Sequence, residues 1–564
     1  MKRLKEVLAR CLLNLYNTTI PSSMSKFHPI SRCLAKTLIC LIPFWGSASP
    51  PNLFEISKQL DIFNTLFKEI QLNFVDETNP AELMTAAITE MMSTLDPYSV
   101  FMNEQDIESA RLKQETDQAS IGAKYKLTAK GIQLIEIYKD GACDRAGMLV
   151  GDTISEADGI SLENYNGDLS ALLSGSNGTE ILVSFQRKAK DFEAKLIRSN
   201  KEPSAVPLFQ MMGNGVGYVA LTQFTPNSAF ELDQAIRLLQ NDGLNGLVLD
   251  LRGNPGGLLG QAIDIVNFFI PKNELVVSTK SNLPSQNQIY LTKKDPIAQD
   301  LPVVVLINGR SASASEIVAG ALQDLDRAVV MGERSFGKGL VQQQKPLAYG
   351  TQFKITISRY YTPSGRCIQA LDYRNRNDKG EAIKRNSNEF QEFKTKNGRP
   401  VFDGGGVFPD VLIPEESAPS VVKLALEQGA IFDYFNGMSD LSVFINKENI
   451  SIPEKEFEQF LQQSKITIPS EEMLSQLESA LVNDSLTDSM GPAIKILHDR
   501  LNASKLEQII LAKSAFKRQM SYEIALRLFY LEGLYKYKIG NDNAVSEAMS
   551  LLLDQERYNN YFKK

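Results

Sequence analysis

Apolar positions near the start of the chain recur at three- and four-residue intervals. This spacing runs through LFEISKQLDIFNTLFKEIQLNF and PAELMTAAITEMMSTL and stops at Asp96-Pro97. Because it lines one face of a helix with apolar side chains, it predicts helices. We therefore expect a small helical N-terminal domain over residues 52–115, whose simplest role is that of a structural scaffold.

The pattern changes to alternation after residue 117. The stretches GIQLIEIYKDG and ILVSFQRKAKDFEAKLIR place apolar residues at every second position, which is typical of half-buried strands. A Gly-Asp turn lies between them in AGMLVGDTISEADGISLEN. Residues 117–200 are predicted to form a small domain of short strands around one or two helices.

Residues 201–415 repeat a strand, a small-residue turn and a helix. In the first repeat, a buried strand over 246–251 leads through Arg252-Gly-Asn-Pro-Gly-Gly257 to a helix over 258–269. In the second, a strand over 302–307 leads through Asn-Gly-Arg to a helix that opens at Ser313. This alternation predicts an α/β core with a mostly parallel sheet.

The remaining sequence, residues 416–564, is charged and helical in pattern. The fold class is therefore a multidomain α/β protein with a helical N-terminal segment and a helical C-terminal domain. A length of 564 residues agrees with about three or four domains.

The first 49 residues have the composition of a leader. Lys26, Arg32 and Lys36 precede a nearly continuous apolar run over 37–45, and small residues follow it. This order is typical of a secretory signal, here one that starts at Met24, and an uncleaved membrane anchor is the alternative. We expect an exported protein of the periplasm or cell envelope.

The charge balance outside the leader is acidic. Residues 50–564 hold 53 Lys and Arg against 66 Asp and Glu. Nucleic-acid binding needs a basic surface, so a nucleic-acid partner is excluded. Only Cys143 and Cys367 remain, far apart in sequence, and we expect two separate buried thiols.

The second strand-turn-helix repeat offers a nucleophile and a base. Ser313 lies at a predicted helix N-terminus, and Lys338 is flanked by glycines in an otherwise apolar stretch. A serine needs a neighbouring base, and a lysine can serve when burial lowers its pKa. The only histidine outside the leader is His498, so a Ser-His-Asp triad is nearly excluded.

Two other interpretations compete for these residues. Ser313-Ala-Ser-Glu316 also fits a capping box, in which the serine only caps the helix, and Ser311 and Ser315 are near-equivalent candidates by composition. The stretch from Gly332 to Lys338 fits a P-loop, but glycine stands where that loop needs Ser or Thr.

Backbone N–H groups could form an oxyanion hole beside the serine. The N–H of Ala314 is free if the helix begins at Ser313, and Gly256 or Gly257 could supply a second donor if the two turns meet. The alternative for the glycines is a turn that merely requires positive φ.

The segment over residues 117–200 resembles a PDZ domain in its Gly141–Gly151 stretch and in Asp158-Gly159. Ile121, Gly122 and Ala123 follow Ser120 where such domains place their carboxylate-binding loop. The resemblance implies capture of a peptide C-terminus as an added strand. A generic small β-rich domain is the alternative.

The motifs INGRSASASEI, FGKGLVQ and DLRGNPGG, with the PDZ-like segment before them, resemble the S41 serine peptidases. These are the C-terminal processing (tail-specific) peptidases, and the resemblance covers about residues 52–415. It implies a crotonase- or ClpP-like α/β core with an inserted or preceding PDZ domain. Arg310 departs from the small residue usual before the SASAS run.

The resemblance also implies the roles of individual residues. Ser313 would be the nucleophile, Lys338 the general base and Gln342 the residue that orients the lysine. Glu316 stands where some members have a carboxylate near the site. No metal and no cofactor is implied.

The sequence thus predicts an exported serine endopeptidase that recognises protein or peptide substrates by their C-termini. The competing hypothesis is a catalytically inactive peptide-binding module on the same scaffold. A homodimer and a regulatory adaptor are left open as further partners.

Overall fold

The computed structural model describes residues 53–104, 106–107, 118–201, 203–378, 380–436, 438, 440–446, 449–484, 487–540 and 542–563. The expected leader over residues 1–49 lies outside these ranges. Within them, no helix combines the length and apolar character needed to cross a membrane. The chain divides into one compact unit that ends at Ala87 and a second that begins at Ile88.

The first unit contains helix α1 (Leu53–Asn73), none of whose residues is buried, and the start of α2 (Pro80–Ser93). Both helices confirm the spacing argument. Residues 100–102, within the predicted helical domain, instead form strand β1 (Val100–Met102). Strand β1 belongs to the second unit, as do residues 352–354, with which it pairs antiparallel. A Val-Phe-Met run suits a sheet better than a helix.

The next segment is a small β domain. Its elements are β2 (Gln118–Ala119), β3 (Ala123–Thr128), β4 (Gly131–Ile137), α3 (Ala142–Arg145), β5 (Thr153–Ala157), β6 (Ile160–Ser161), α4 (Leu169–Leu173), β7 (Gly175–Ser176), β8 (Glu180–Arg187) and β9 (Lys190–Ile197). The main sheet has the order β3-β4-β5-β8-β9, so β3 is an edge strand. Strands around short helices were the sequence prediction, which these elements confirm.

The α/β core follows. Its first half contains β10 (Leu208–Gly213), β11 (Val216–Ala220), α5 (Ser228–Asn241), β12 (Gly246–Asp250), α6 (Leu259–Asn267), β13 (Leu275–Ser281), β14 (Gln288–Leu291), β15 (Val303–Ile307), α7 (Ala314–Asp324) and β16 (Val329–Gly332). Its second half contains β17 (Leu340–Pro346), β18 (Gln352–Tyr361), β19 (Leu371–Arg376), β20 (Ala382–Lys384), β21 (Glu392–Lys394), β22 (Pro400–Phe402) and β23 (Val411–Leu412). The polar and charged stretch over residues 376–400 includes parts of two short pairs of strands, β19 with β20 and β21 with β22.

The central sheet has six strands in the order β10-β11-β12-β15-β16-β23. All neighbouring pairs except β10 and β11 are parallel, as the strand-turn-helix repeats predicted. Asp250 at the end of β12 lies opposite Leu306, and Ile307 at the end of β15 lies opposite Gly332. The loops that follow β12, β15 and β16 therefore leave the sheet at one edge.

A second, antiparallel sheet has the order β1-β18-β13-β14, and β17 also pairs with β18. Leu340 at the start of β17 lies opposite Arg359. This pairing places the loop after β16, which contains Lys338, beside the end of β18.

The C-terminal segment is mostly helical, as expected. Its elements are α8 (Ser420–Glu427), α9 (Ala430–Asn436), β24 (Ile445–Asn446), β25 (Asn449–Ile450), α10 (Glu454–Gln463), α11 (Pro469–Asn483), α12 (Thr487–Leu511), α13 (Lys513–Ile539), α14 (Asn543–Leu553) and α15 (Gln555–Asn560). Much of it packs on an apolar core of its own that includes Phe435, Phe457 and Phe516.

The last two helices, α14 and α15, pack on the central sheet. One face of that sheet packs against α5, α6 and α7. The other packs against apolar residues of α14 and α15, among them Ala548, Leu551 and Tyr558. The hydroxyl of Tyr558 donates to the carbonyl oxygen of Val303 at 3.1 Å. The C-terminal helices therefore complete the core that supports the loops after β12, β15 and β16.

Candidate active site

The turn after β15 places Ser313 at the N-cap of α7 with φ 57° and ψ −112°. A non-glycine residue with this conformation is strained, and such strain often occurs at functional sites. The side chain of Ser313 makes no capping hydrogen bond to the helix, because the N–H of Glu316, which a capping box would pair with the serine hydroxyl, donates to the Ser313 carbonyl oxygen at 2.9 Å. Its own N–H donates to Oε2 of Glu316 at 2.8 Å.

Hydrogen bonding distinguishes the three serines that composition left open. Ser311 Oγ donates to the carbonyl oxygen of Leu251 at 2.8 Å, and Ser315 Oγ donates to that of Asn254 at 2.9 Å. Both serines are fully buried, whereas Ser313 is partly exposed. The geometry therefore favours Ser313 as the hydroxyl that can meet a substrate.

The turn after β12 meets the Ser313 turn. A Cβ built on Gly256 would lie 2.8 Å from Cβ of Ser313 and 3.0 Å from the nitrogen of Ala314. Any side chain at position 256 would collide with Ser313, so glycine is required here for close approach as well as for its φ of 102°. The condition set for a shared oxyanion hole, that the two turns meet, is fulfilled.

The three proposed oxyanion donors are not equivalent. The N–H of Gly256 donates to Oδ1 of Asn254 at 2.9 Å and is thus occupied. Among the described residues, no hydrogen-bond acceptor is found for the N–H of Ala314 or of Gly257. The geometry therefore leaves Ala314 and Gly257 available and removes Gly256 from the set of free donors.

Glu316 joins the serine turn to the lysine loop. Its fully buried carboxylate accepts from the N–H groups of Ser313 (2.8 Å), Gly337 (2.7 Å) and Lys338 (2.9 Å) and from the Ser335 hydroxyl. Burial raises the pKa of Glu316, and these hydrogen bonds oppose the rise because they favour the ionised form. This carboxylate fixes the backbone of both reactive residues.

Lys338 has no ion-pair or hydrogen-bond partner for its Nζ among the described residues. The ammonium lies 4.1 Å from the centroid of the Tyr98 ring. Burial and then the like charge of Lys354 lower the pKa of Lys338, against the weaker pull of Asp96 and Glu316. A lysine in this environment loses its proton more readily than one in water, as a general base requires.

Tyr360 also bridges the two loops from β18. Its buried hydroxyl lies 3.2 Å from the carbonyl oxygen of Ser313 and within hydrogen-bond distance of that of Lys338. Burial, reinforced by the negative charge of Glu316, raises the pKa of Tyr360 well above its usual value, so the hydroxyl remains a donor.

Gln342 lies on β17, where its Nε2 donates to Oγ1 of Thr356 at 3.2 Å. No contact between Gln342 and Lys338 is found in the described part of the chain. Its role in orienting the lysine remains a prediction.

The loop proposed to bind a peptide carboxylate lies in the small β domain. The carbonyl oxygen of buried Ile121 accepts from the N–H of Cys143 at 2.8 Å. Gly122 has φ 71°, and a Cβ there would lie 2.8 Å from Cα of Gly141. Its N–H donates to Oγ of Ser120 at 3.2 Å. Ala123 begins edge strand β3, which belongs to a different sheet from β15, the strand that precedes the Ser313 turn.

Sequence reasoning missed several residues that shape the site. Tyr98 and Tyr360 lie in stretches that were analysed only for helices and strands. Arg252 was taken as part of a turn, yet its guanidinium binds Asp250 and, 290 residues away in sequence, Asp542. No spacing signal links residues so far apart.

Two further findings concern metals and cysteines. No cluster of metal-ligating side chains is present among the residues that the structure describes. Cys143 and Cys367 are both free thiols, as expected, but only Cys143 is fully buried. Burial raises the pKa of Cys143 to about 12, so this thiol is unreactive.

Comparison with known proteins identifies the class. Residues 215–373 match the sequence profile of peptidase family S41, residues 422–552 that of the "Probable PDZ-protease, C-terminal helical domain", and residues 48–106 that of the "Activating protease CtpB N-terminal domain". A carboxy-terminal-processing protease of Bartonella bacilliformis is 36% identical over 339 residues, which cover 59% of this chain and 77% of that protein. The chain belongs to the S41 family of serine peptidases.

Within that family, its relatives are carboxy-terminal processing proteases. The protease CtpA of Bacillus subtilis is 32% identical over 315 residues, covering 55% of this chain and 66% of CtpA. Among solved structures, the photosystem II D1 C-terminal processing protease is 25% identical, with 64% of this chain and 95% of that chain covered and a TM-score of 0.35.

Proposed function

We propose that this protein is an exported serine endopeptidase that cleaves protein substrates near their C-termini with a Ser313–Lys338 dyad. The observation that favours this function is the uncapped Ser313 hydroxyl at a strained helix N-terminus, next to the unoccupied N–H of Ala314. The Glu316 carboxylate, which binds the backbone of both dyad residues, adds support.

The mechanism follows from the chemistry of these groups. Neutral Lys338 accepts the proton of Ser313 Oγ as the oxygen attacks the peptide carbonyl carbon. The N–H groups of Ala314 and Gly257 donate to the developing oxyanion. The lysine ammonium then protonates the leaving amine, so the C-terminal fragment departs, and water attacks the acyl-enzyme with Lys338 again as base.

The small β domain is proposed to be a PDZ domain that captures the substrate C-terminus. Edge strand β3 offers unpaired backbone groups to an incoming peptide strand. The loop over Ile121, Gly122 and Ala123 leads directly into that strand. Its N–H groups would meet the terminal carboxylate, except that of Gly122, which donates to Ser120 Oγ.

Export, the domain limits and the partners complete the proposal. The limits remain 1–49 for the leader, 52–115 for the helical N-terminal domain, 117–200 for the PDZ domain, 201–415 for the peptidase core and 416–564 for the helical C-terminal domain. Proposed partners are proteins or peptides with accessible C-termini, together with a second copy of the chain or a regulatory adaptor.

Cleavage of an unfolded protein with an apolar C-terminus tests the function. Wild type, Ser313→Ala and Lys338→Ala are compared, with the same substrate bearing an amidated C-terminus as a control for carboxylate recognition. We expect cleavage by the wild type alone and slower cleavage of the amidated substrate.

Equal cleavage by all three proteins would show that another nucleophile or a contaminant acts. If none cleaves but each binds the free C-terminus, the protein is a binding module and the peptidase assignment is wrong.

A further inference from the structure

The guanidinium of Arg252 lies between two carboxylates, one two positions away in sequence (Asp250) and one 290 positions away (Asp542). Its Nη2 and Nε are 2.6 Å and 3.0 Å from the two oxygens of Asp250. Its Nη2 and Nη1 are 2.8 Å and 3.1 Å from the two oxygens of Asp542. The three side chains are 15%, 5% and 19% exposed, so the group is largely shielded from water.

Arg252 stands at the base of the loop that leads to Gly257. Asp250 also accepts from the N–H of Arg252 at 2.9 Å and from the Tyr218 hydroxyl at 2.8 Å. Immediately beyond, the N–H of Gly253 donates to Oδ1 of Asn308 at 3.0 Å. The guanidinium therefore belongs to a network that sets where the loop begins.

The Asp542 carboxylate is also bound by backbone N–H groups at the start of α14. Its Oδ1 accepts from the N–H groups of Ala544 and Val545 at 2.9 Å and 3.1 Å, which caps α14. Helix α14 packs through Val545, Ala548 and Leu551 on the central sheet. The carboxylate is thus fixed to a rigid element before it meets Arg252.

A planar guanidinium bound along two edges by carboxylates cannot rotate without breaking a charged hydrogen bond. With Asp250 alone, the Nη1 edge would lose its anionic partner. The guanidinium would then be held by Asp250 alone, through Nε and Nη2, and the start of the loop would lose its link to α14. Oxyanion donors are effective only when fixed within a few tenths of an ångström of the developing charge.

We propose that Asp542 is a positioning residue for catalysis: through Arg252 it holds the loop whose Gly257 N–H completes the oxyanion hole. The inference rests on the proposed peptidase function. It assigns to the C-terminal helical domain a contribution to the chemical step, in addition to covering the sheet.

The test is Asp542→Asn, because asparagine caps helices as well as aspartate does but lacks the charge. Asp554→Asn is the matched control: Asp554 caps α15 by accepting from the N–H of Arg557 at 2.9 Å and has no contact with Arg252 among the described residues. The readouts are kcat and KM for the same unfolded substrate, the fraction of active enzyme from the acylation burst, and the melting temperature.

We expect kcat of Asp542→Asn to fall about tenfold with KM within about twofold, since losing a whole oxyanion donor costs about 10²–10³ and a displaced donor keeps part of its effect. Asp554→Asn should keep both constants within about twofold.

An inactive wild type would contradict the proposed function and not this inference in particular. With an active wild type, equal kcat values for the two variants would overturn the inference. A fall in melting temperature with unchanged kcat per active enzyme would overturn it as well, because Asp542 would then be purely structural.

Discussion

Alanine substitution should lower the free energy of unfolding most at Ser311, less at Ser315 and least at Ser313. Only Ser313→Ala should abolish cleavage. Ser311 Oγ donates to the Leu251 carbonyl and accepts from the N–H of Asn308 at 3.0 Å. The Leu251 carbonyl also accepts from the N–H of Asn254 at 3.2 Å, so Ser311→Ala leaves one buried group, the N–H of Asn308, unpaired. At about 1–3 kcal/mol for such a group, the expected loss is about 1–3 kcal/mol.

The other two substitutions should cost less. Ser315→Ala removes one donor from the Asn254 carbonyl, which still accepts from the N–H of Ala312 at 3.0 Å, so we expect a loss of about 1 kcal/mol. Ser313 makes no capping bond and is partly exposed, so Ser313→Ala should change stability by about 0.5 kcal/mol or less.

Urea unfolding followed by far-UV circular dichroism gives the stability order, since the only tryptophan, Trp45, lies in the leader. Initial rates of cleavage give the activity order. Ser313→Ala should abolish cleavage, and the other two variants should retain it whenever they are folded. If Ser313→Ala proves the least stable of the three, or if it cleaves while a folded Ser311→Ala or Ser315→Ala does not, our reading of the serine cluster is wrong.

Three other outcomes are expected. The cleavage rate should rise with pH as Lys338 loses its proton, at a pKa below the ordinary lysine value of about 10.4. Lys354→Gln removes a like charge that lowers the pKa of Lys338, so a rate–pH profile of this variant should show the rise at higher pH. In Glu316→Gln an NH₂ group replaces one carboxylate oxygen, and each oxygen accepts from two donors: Oε1 from Ser335 and Gly337, Oε2 from Ser313 and Lys338. Unfolding curves should show a loss of about 2–4 kcal/mol, and cleavage should slow at least tenfold. Unchanged curves would contradict the role given to this carboxylate. Arg366→Met leaves fully buried Asp324 without its ion-pair partner at 2.8 Å, and urea unfolding should show about 3–5 kcal/mol of destabilisation, whereas a loss under about 1 kcal/mol would mean that the pair is dispensable.

Local patterns predicted the strands and helices around the site well. The 302–307 and 258–269 predictions lie within a residue or two of β15 and α6, because glycine turns and apolar runs act over short distances. The pattern was wrong at residues 100–102, where pairing with β18 decided the conformation. That contact joins segments about 250 positions apart. The short Val-Phe-Met run suits a strand but carries no information about its distant partner.

The sequence predicted only part of the chemistry of the site, because contacts between distant segments decide the rest. Residue types and their positions made Ser313 and Lys338 candidates for the nucleophile and the base. The glycine-rich turn after β12 made Gly256 and Gly257 candidates for an oxyanion donor. Which serine hydroxyl was already engaged depended on the carbonyls of Leu251 and Asn254, which belong to another loop. The occupied N–H of Gly256 and the Arg252–Asp542 pair likewise follow from the folded chain and not from spacing.

The late position of α14 and α15 has a consequence for how the protein is made. Tyr558 contacts Val303 across 255 positions of sequence, so the ribosome needs about 13–50 s after finishing β15 before it can supply that partner. Until then the face of the central sheet that α14 and α15 cover in the folded protein lacks this packing. A core that is completed only by the last residues of the chain suits a protein that crosses a membrane before it folds, as the proposed export requires.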